Sequence, residues 1–151
     1  RYISSRSKRD ISCPYGSDVD IEGGIAIGKE IDKGSFWRFR GWGYAGVGIA
    51  NMGSPWINGK IYFEGNWDDL HKWKLFLKAQ HGYGKKSKID IDNFNGYAST
   101  RARFINLGAS YGYRLGVWGT LSAKYEVRVL AKVCPKAINY FAISYLLPFS
   151  F

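Results

Sequence analysis

Only two histidines occur in the chain, and neither is spaced for acid–base catalysis. His71 falls in the turn-like run DDLH, and His81 closes an alternating segment beside Tyr83. The nearest following serine, Ser87, lies in a charged loop, so no nucleophile, base and orienting group line up. Asp68 and Asp69 sit together where a turn would use them. Asp90 and Asp92 alternate with Ile89 and Ile91, a spacing that suits a solvated strand extension better than a calcium loop. Cys13 and Cys134 each precede a proline and have no ligand-spaced His or Cys beside them, which argues against a zinc site. The glycine-rich runs GWGYAGVG and YGYRLGVWG lead into no helix, as a phosphate loop would. Nothing in these patterns calls for a metal or a cofactor.

What remains is charge and its arrangement. The 151 residues carry 22 Lys and Arg against 12 Asp and Glu, a net charge of +10. A nucleic acid, an anionic membrane surface or an anion-lined interior would each suit that excess. Length allows one domain. Nineteen glycines and 17% aromatic residues, without helical periodicity, point to strands. No apolar run approaches the ~18 residues of a spanning helix. The opening RYISSRSKRD is basic but leads into no apolar core, so no signal peptide is read there.

Seven segments alternate with a period of two: residues 18–30, 36–50, 56–67, 72–83, 97–115, 119–131 and the tail 137–151. One face of each is apolar, for example Ile21, Ile25 and Ile27 in the first and Leu121, Tyr125, Val127, Val129 and Ala131 in the sixth. The other face carries Asp20, Glu22, Arg38, Arg40, Lys60, Glu64, Lys72, Lys74, Lys78, Arg114, Lys124, Glu126 and Arg128. Basic and aromatic residues thus lie mostly on opposite faces. A nucleic-acid surface, which needs both on one, is disfavoured even around Arg101 and Arg103.

A soluble barrel or sandwich would turn the apolar faces inward. A transmembrane barrel would turn them to lipid and the charges to a lumen. Three features favour the second. The segments run about 12 residues or longer, against ~5–6 for an ordinary strand and ~9–11 for a bilayer-crossing one. Aromatics gather toward strand ends at Trp37, Trp56, Trp67, Trp73, Tyr83 and Tyr113, as interfacial girdles do. Short and long connections alternate, the longest following the fourth segment. The expected fold is therefore all-β, an antiparallel up-and-down transmembrane barrel of about eight strands, seven of them readable. It would occupy 18–151, with 1–17 as an N-terminal segment or first strand.

The tail AINYFAISYLLPFSF carries the closest likeness to known proteins. Its terminal aromatic Phe151 follows Phe149, Leu147, Tyr145 and Ile143 at every second place. This resembles the closing strand of bacterial outer-membrane β-barrel proteins, with Pro148 as a departure that would mark a bulge. The resemblance implies insertion by the barrel-assembly machinery, contact with outer-membrane lipid and lipopolysaccharide, and a periplasmic C-terminus. Some small barrels of this class act on lipid A through a Ser/His pair, a spacing this chain lacks; a pore, scaffold or surface-contact role is expected, with a lipid-modifying enzyme, the C-terminal part of a larger translocator barrel and a soluble basic β-barrel binding protein as alternatives. Nine lumen cations against four anions imply a wet lumen, an anionic ligand or an acidic partner segment. Counting loops back from a periplasmic C-terminus places Cys13 and Cys134 on one oxidising side, which implies a Cys13–Cys134 disulfide. Seven strands leave an odd count, so the eighth would come from residues 1–5 or from further sequence.

Overall fold

The computed structural model describes residues 20–33, 36–50, 54–88 and 100–148. Period-two alternation rich in Ile, Val and aromatic residues favours extended backbone, and seven strands form. They are β1 (Asp20–Lys33), β2 (Trp37–Ala50), β3 (Trp56–Trp67), β4 (His71–Gly82), β5 (Arg103–Arg114), β6 (Thr120–Lys132) and β7 (Asn139–Leu146). They make one antiparallel meander in the order β1-β2-β3-β4-β5-β6-β7. The segments read from alternation match these strands closely. Residues 97–102 precede β5, and β7 ends before the tail does.

Register keeps like with like. Ile27, Gly43, Ile61, Leu77, Leu107 and Val127 stand opposite one another in sequence across six strands. Any slip by one residue would move this row to the other face. Short connections hold one end of the sheet. The β3–β4 turn places Asp68 (φ 53°) and Asp69 (φ 50°) in the left-handed region, and Trp67 O accepts from Leu70 N at 3.1 Å. Asp tolerates this conformation better than most residues. Asp68 N donates to Phe36 O at 2.7 Å and Arg114 N to Leu70 O at 2.9 Å, so neighbouring turns are tied together. At the opposite end the β4–β5 ladder continues past the strands, with Gly82 N on Ala102 O at 2.8 Å and Arg101 N on Lys86 O at 2.9 Å.

The charged face is concave. A cavity of about 460 Å³ is lined by Glu30 of β1, Arg40 of β2, Glu64 of β3, Lys74 of β4, Ser110 of β5, Ser122 of β6 and Leu146 of β7. Strands stacked ~4.8 Å apart in a flat sheet could not all border one such space.

Three expectations change. The sheet is open, because among the described residues no pairing joins β1 to β7. An odd meander leaves these edges running in the same direction, so antiparallel closure needs a further strand. Pro148 lies beyond β7 rather than inside it, and the register shift falls instead at Ile105/Asn106, where Asn106 faces Arg128 and Ile105 faces Leu130. Val129 is the extra residue. Past it Leu130 takes the apolar face and Ala131, opposite Phe104, turns inward, so the expected Val129–Ala131 alternation is reversed. The segment 1–17 and the tail aromatics Phe149 and Phe151 lie outside the described residues.

Val133, just after β6, has φ 59°, which a β-branched side chain adopts only under strain. Val133→Gly should raise stability by about 1 kcal/mol, read as a higher unfolding midpoint of the refolded protein. A lower midpoint would show that the Val133 side chain contributes more than its backbone costs.

Candidate functional site

Burial in this molecule is inverted. The buried apolar residues among those described are Trp56, Phe76, Ala102, Phe104 and Cys134. Those of them on strands lie on the charged, concave side. On the convex side Ile25 and Ile27 are 72% and 78% exposed, while the Glu126 side chain keeps only 13% of its surface.

Across the middle of the concave face the register aligns Gly28, Trp42, Tyr62, Phe76, Gly108, Glu126 and Tyr140. Trp42 stacks on Tyr62 with centroids 4.1 Å apart, and Tyr62 on Phe76 at 5.7 Å. The ladder has room because its neighbours lack side chains: a Cβ on Gly108 would lie 2.2 Å from Phe76 Cζ. Beside it Glu126 gathers three donors, Lys78 Nζ at 2.9 Å, Asn106 Nδ2 at 2.9 Å and Lys124 Nζ at 3.1 Å. Lys78 and Lys124 also lie over the Phe76 ring, at 4.7 and 5.1 Å. Such contacts let a carboxylate leave water without standing alone.

The expected lumen residues from Glu22 to Arg128 do share this face; Asp20 begins β1 opposite Ala50. Their charge count changes, because β1 runs on to Lys33 and brings two further acids to the same face. Arg38 Nε lies 3.5 Å from Glu30 and 3.3 Å from Asp32. Lys60 is 3.9 Å from Glu22, whose Oε1 also accepts from Tyr44 at 2.9 Å. Lys74 meets Glu64 at 2.8 Å, and Trp42 Nε1 donates to the same oxygen at 3.2 Å. Buried Arg128 uses neutral acceptors, Asn106 Oδ1 and Pro135 O, each at 3.1 Å, and packs over Phe104. Of the nine expected lumen cations, Arg40, Lys72, Arg114 and Arg128 make no ion pair among the described residues. With Glu30 and Asp32 counted, the excess of five cations falls to three, nine against six. Strand length and the neutral ligands of Arg128 were the missing signals, and the second shows only once β6 and its following loop are folded.

The long-loop end is closed on the inside. Ala102, Phe104 and Cys134 pack together with Ala131, and Cys134 Sγ donates to Arg103 O at 3.3 Å. Cys134 is a free thiol here, so the expected disulfide is not formed; Cys13 lies outside the described residues. Burial pushes the Cys134 thiol above its usual range, against the opposing pull of the Arg128 guanidinium.

Aromatic residues ring the convex side at the short-turn end. Trp37, Trp67, His71, Tyr113, Leu121 and Tyr145 form one cross-strand row. His71 Nδ1 lies 2.6 Å from Tyr111 Oη, and His81 packs edge-on to Tyr83 at 4.7 Å, both away from the cavity. Trp56, expected in the girdle, is instead buried on the concave side over Gly48. Among the described residues the apolar side also carries Lys29 of edge strand β1, opposite Gly41 of β2, and, at the long-loop end, Arg103 opposite Lys132. Ile143 and Tyr145 lie on the convex face of β7, and Leu147 follows the strand's end, half exposed. Asp90 and Asp92 lie outside the described residues. Among those described, no three His, Cys, Asp or Glu side chains gather as metal ligands do.

No protein-family model matches the chain, and neither a curated protein nor a solved structure is significantly similar to it.

Two outcomes follow. Gly108→Ala should lose about 1–3 kcal/mol through displacement of Phe76, read from denaturant midpoints; an unchanged midpoint would mean the ladder is loose. In a Cys13→Ser background, Cys134 should resist iodoacetamide near neutral pH, where the raised thiol stays protonated, and react once pH rises above that range or the protein unfolds. Rapid labelling of the folded protein at neutral pH would contradict its burial.

Proposed function

We propose that this chain is an integral outer-membrane β-barrel protein, non-enzymatic, with its convex face in lipid and a basic lumen. The observation that carries the reading is the inverted burial: isoleucines on the convex face stay open while a glutamate on the concave face is covered. In water, exposing that many large apolar side chains is unfavourable at roughly 25 cal/mol per Å². In hydrocarbon the same exposure costs nothing, and the charges gain by facing inward.

The aromatic row at the short-turn end supports an interfacial girdle. Short turns would then face the periplasm, with the C-terminal aromatics presented to the barrel-assembly machinery. The extended β4–β5 hairpin, with Arg101 and Arg103, would rise among lipopolysaccharide phosphates. Within this reading, the packed Trp42–Tyr62–Phe76 ladder favours a scaffold or surface-contact role over an open pore.

The open edges of β1 and β7 favour a second reading, in which these strands form the C-terminal part of a larger translocator-like barrel. Backbone groups on both edges need partners in lipid under either reading.

Flotation with lipid vesicles tests the proposal. The refolded chain should rise with vesicles and resist alkaline extraction. Val127→Arg should impair insertion, costing ~2–4 kcal/mol near the midplane. A chain that stays soluble and monodisperse without detergent, or a Val127→Arg variant that inserts as well as the parent, would reject the reading.

A further inference from the structure

We propose that the short-turn end of the concave face is a receptor site for a phosphoryl oxyanion, free phosphate or a small phosphomonoester. The proposal rests on the barrel reading, since it requires the concave face to be a lumen. The cavity of about 460 Å³ lies at this end, lined by Arg38, Arg40, Lys72 and Lys74. Two of the four are already neutralised, Arg38 by Glu30 and Asp32 and Lys74 by Glu64. Arg40 and Lys72 are the two cavity-lining cations without an ion pair among the described residues. Arg40 stands in register between Glu30 and Glu64 and acts on the Glu64 carboxylate at longer range, but among the described residues no carboxylate lies within ion-pair distance of it, and Glu64 Oε1 is taken by Lys74 and Trp42. Arg40 on β2 and Lys72 on β4 occupy adjacent rows two strands apart, and the concave curl turns both toward one space.

The other wall is built differently. Ser110, Thr120 and Ser122 border the same cavity, and no acid of β5–β7 does. Ser122 Oγ is engaged with Ser144, so a guanidinium fork and an ammonium on one side face the hydroxyls of Ser110 and Thr120 on the other. A tetrahedral oxyanion presents several acceptors to such a site at once, which a halide cannot do. Arg40 and Lys72 are both exposed, so binding there should weaken as salt rises.

The cavity has a floor. The Trp42–Tyr62–Phe76 ladder and Glu126 lie one row deeper than Arg40, and Lys124 and Lys78 reach Glu126 from the rows on either side. Beyond them Phe104, Arg128 and Cys134 fill the long-loop end.

Inorganic phosphate titrated into the full chain in neutral-detergent micelles, followed by calorimetry, tests the site. The result expected is saturable binding of one phosphate per chain. It should weaken by roughly tenfold or more in Arg40→Gln/Lys72→Gln, persist in Lys72→Arg, and stand unchanged in Lys132→Gln, which lies outside the cavity. Absence of saturable binding would overturn the proposal, as would equal weakening by Lys132→Gln. So would binding only to phosphatidate-containing bilayers without competition by free phosphate. Circular dichroism checks that each variant keeps the strands. Vesicle flotation of the same samples separates the two claims: a floating protein that ignores phosphate loses this site alone, and one that does not float loses the barrel reading.

Discussion

In-register antiparallel pairing is the constraint on which the rest of this molecule depends. With a period of two, every cross-strand row is committed to one face, and six successive pairings carry that commitment from β1 to β7. The Ile27–Val127 row on one side and the Gly28–Tyr140 row on the other are adjacent consequences of the same register. Because the rows do not mix, charge and hydrocarbon are separated by the thickness of a single sheet. The bulge at Val129 is the exception, and it falls where β6 leaves the regular ladder and Ala131 turns in to join Phe104 and Cys134.

Packing then concentrates on the side that charge would ordinarily leave open. The Trp42–Tyr62–Phe76 ladder supplies apolar contact, and the lysines around it place their stems on rings and their ammonium groups on carboxylates. Glycine makes this possible: Gly108 beneath Phe76 and Gly48 beneath Trp56 leave the space that large rings fill. Among the described residues the concave face is therefore both the core of the molecule and the place where charge is organised. Stability and any ligand recognition draw on the same side chains, which leaves for a ligand the end where, among those residues, Arg40 and Lys72 make no ion pair.

Much of this was legible beforehand. Strand placement was legible because alternation is a local signal; β3 falls on residues 56–67 as read. The partition of Lys60, Glu64, Lys74, Lys78, Lys124 and Glu126 onto one face follows from the same signal. Partner choice was not legible, because it is set by neighbours distant in sequence. Glu30 and Asp32 looked like the end of a strand until β1 reached Lys33 and met Arg38. Arg128 looked like a solvated lumen cation until the loop after β6 brought Pro135 O to it. Trp56 looked interfacial because it ends a strand, but even-numbered positions of β3 point inward. The open edge was legible only as parity, since seven alternating segments leave one strand unpaired without saying what pairs with it.

Spin-label accessibility along β3 tests the central claim most directly. Single cysteines placed in turn at residues 57–65 of a Cys13→Ser/Cys134→Ser background would be labelled and reconstituted in lipid vesicles. The account predicts accessibility to oxygen that peaks at 57, 61 and 63, where the convex face meets hydrocarbon, and falls at 58, 60, 62 and 64, where side chains pack on the concave face. Peaks at the even positions, or a flat profile with water-soluble quencher reaching both faces alike, would contradict it.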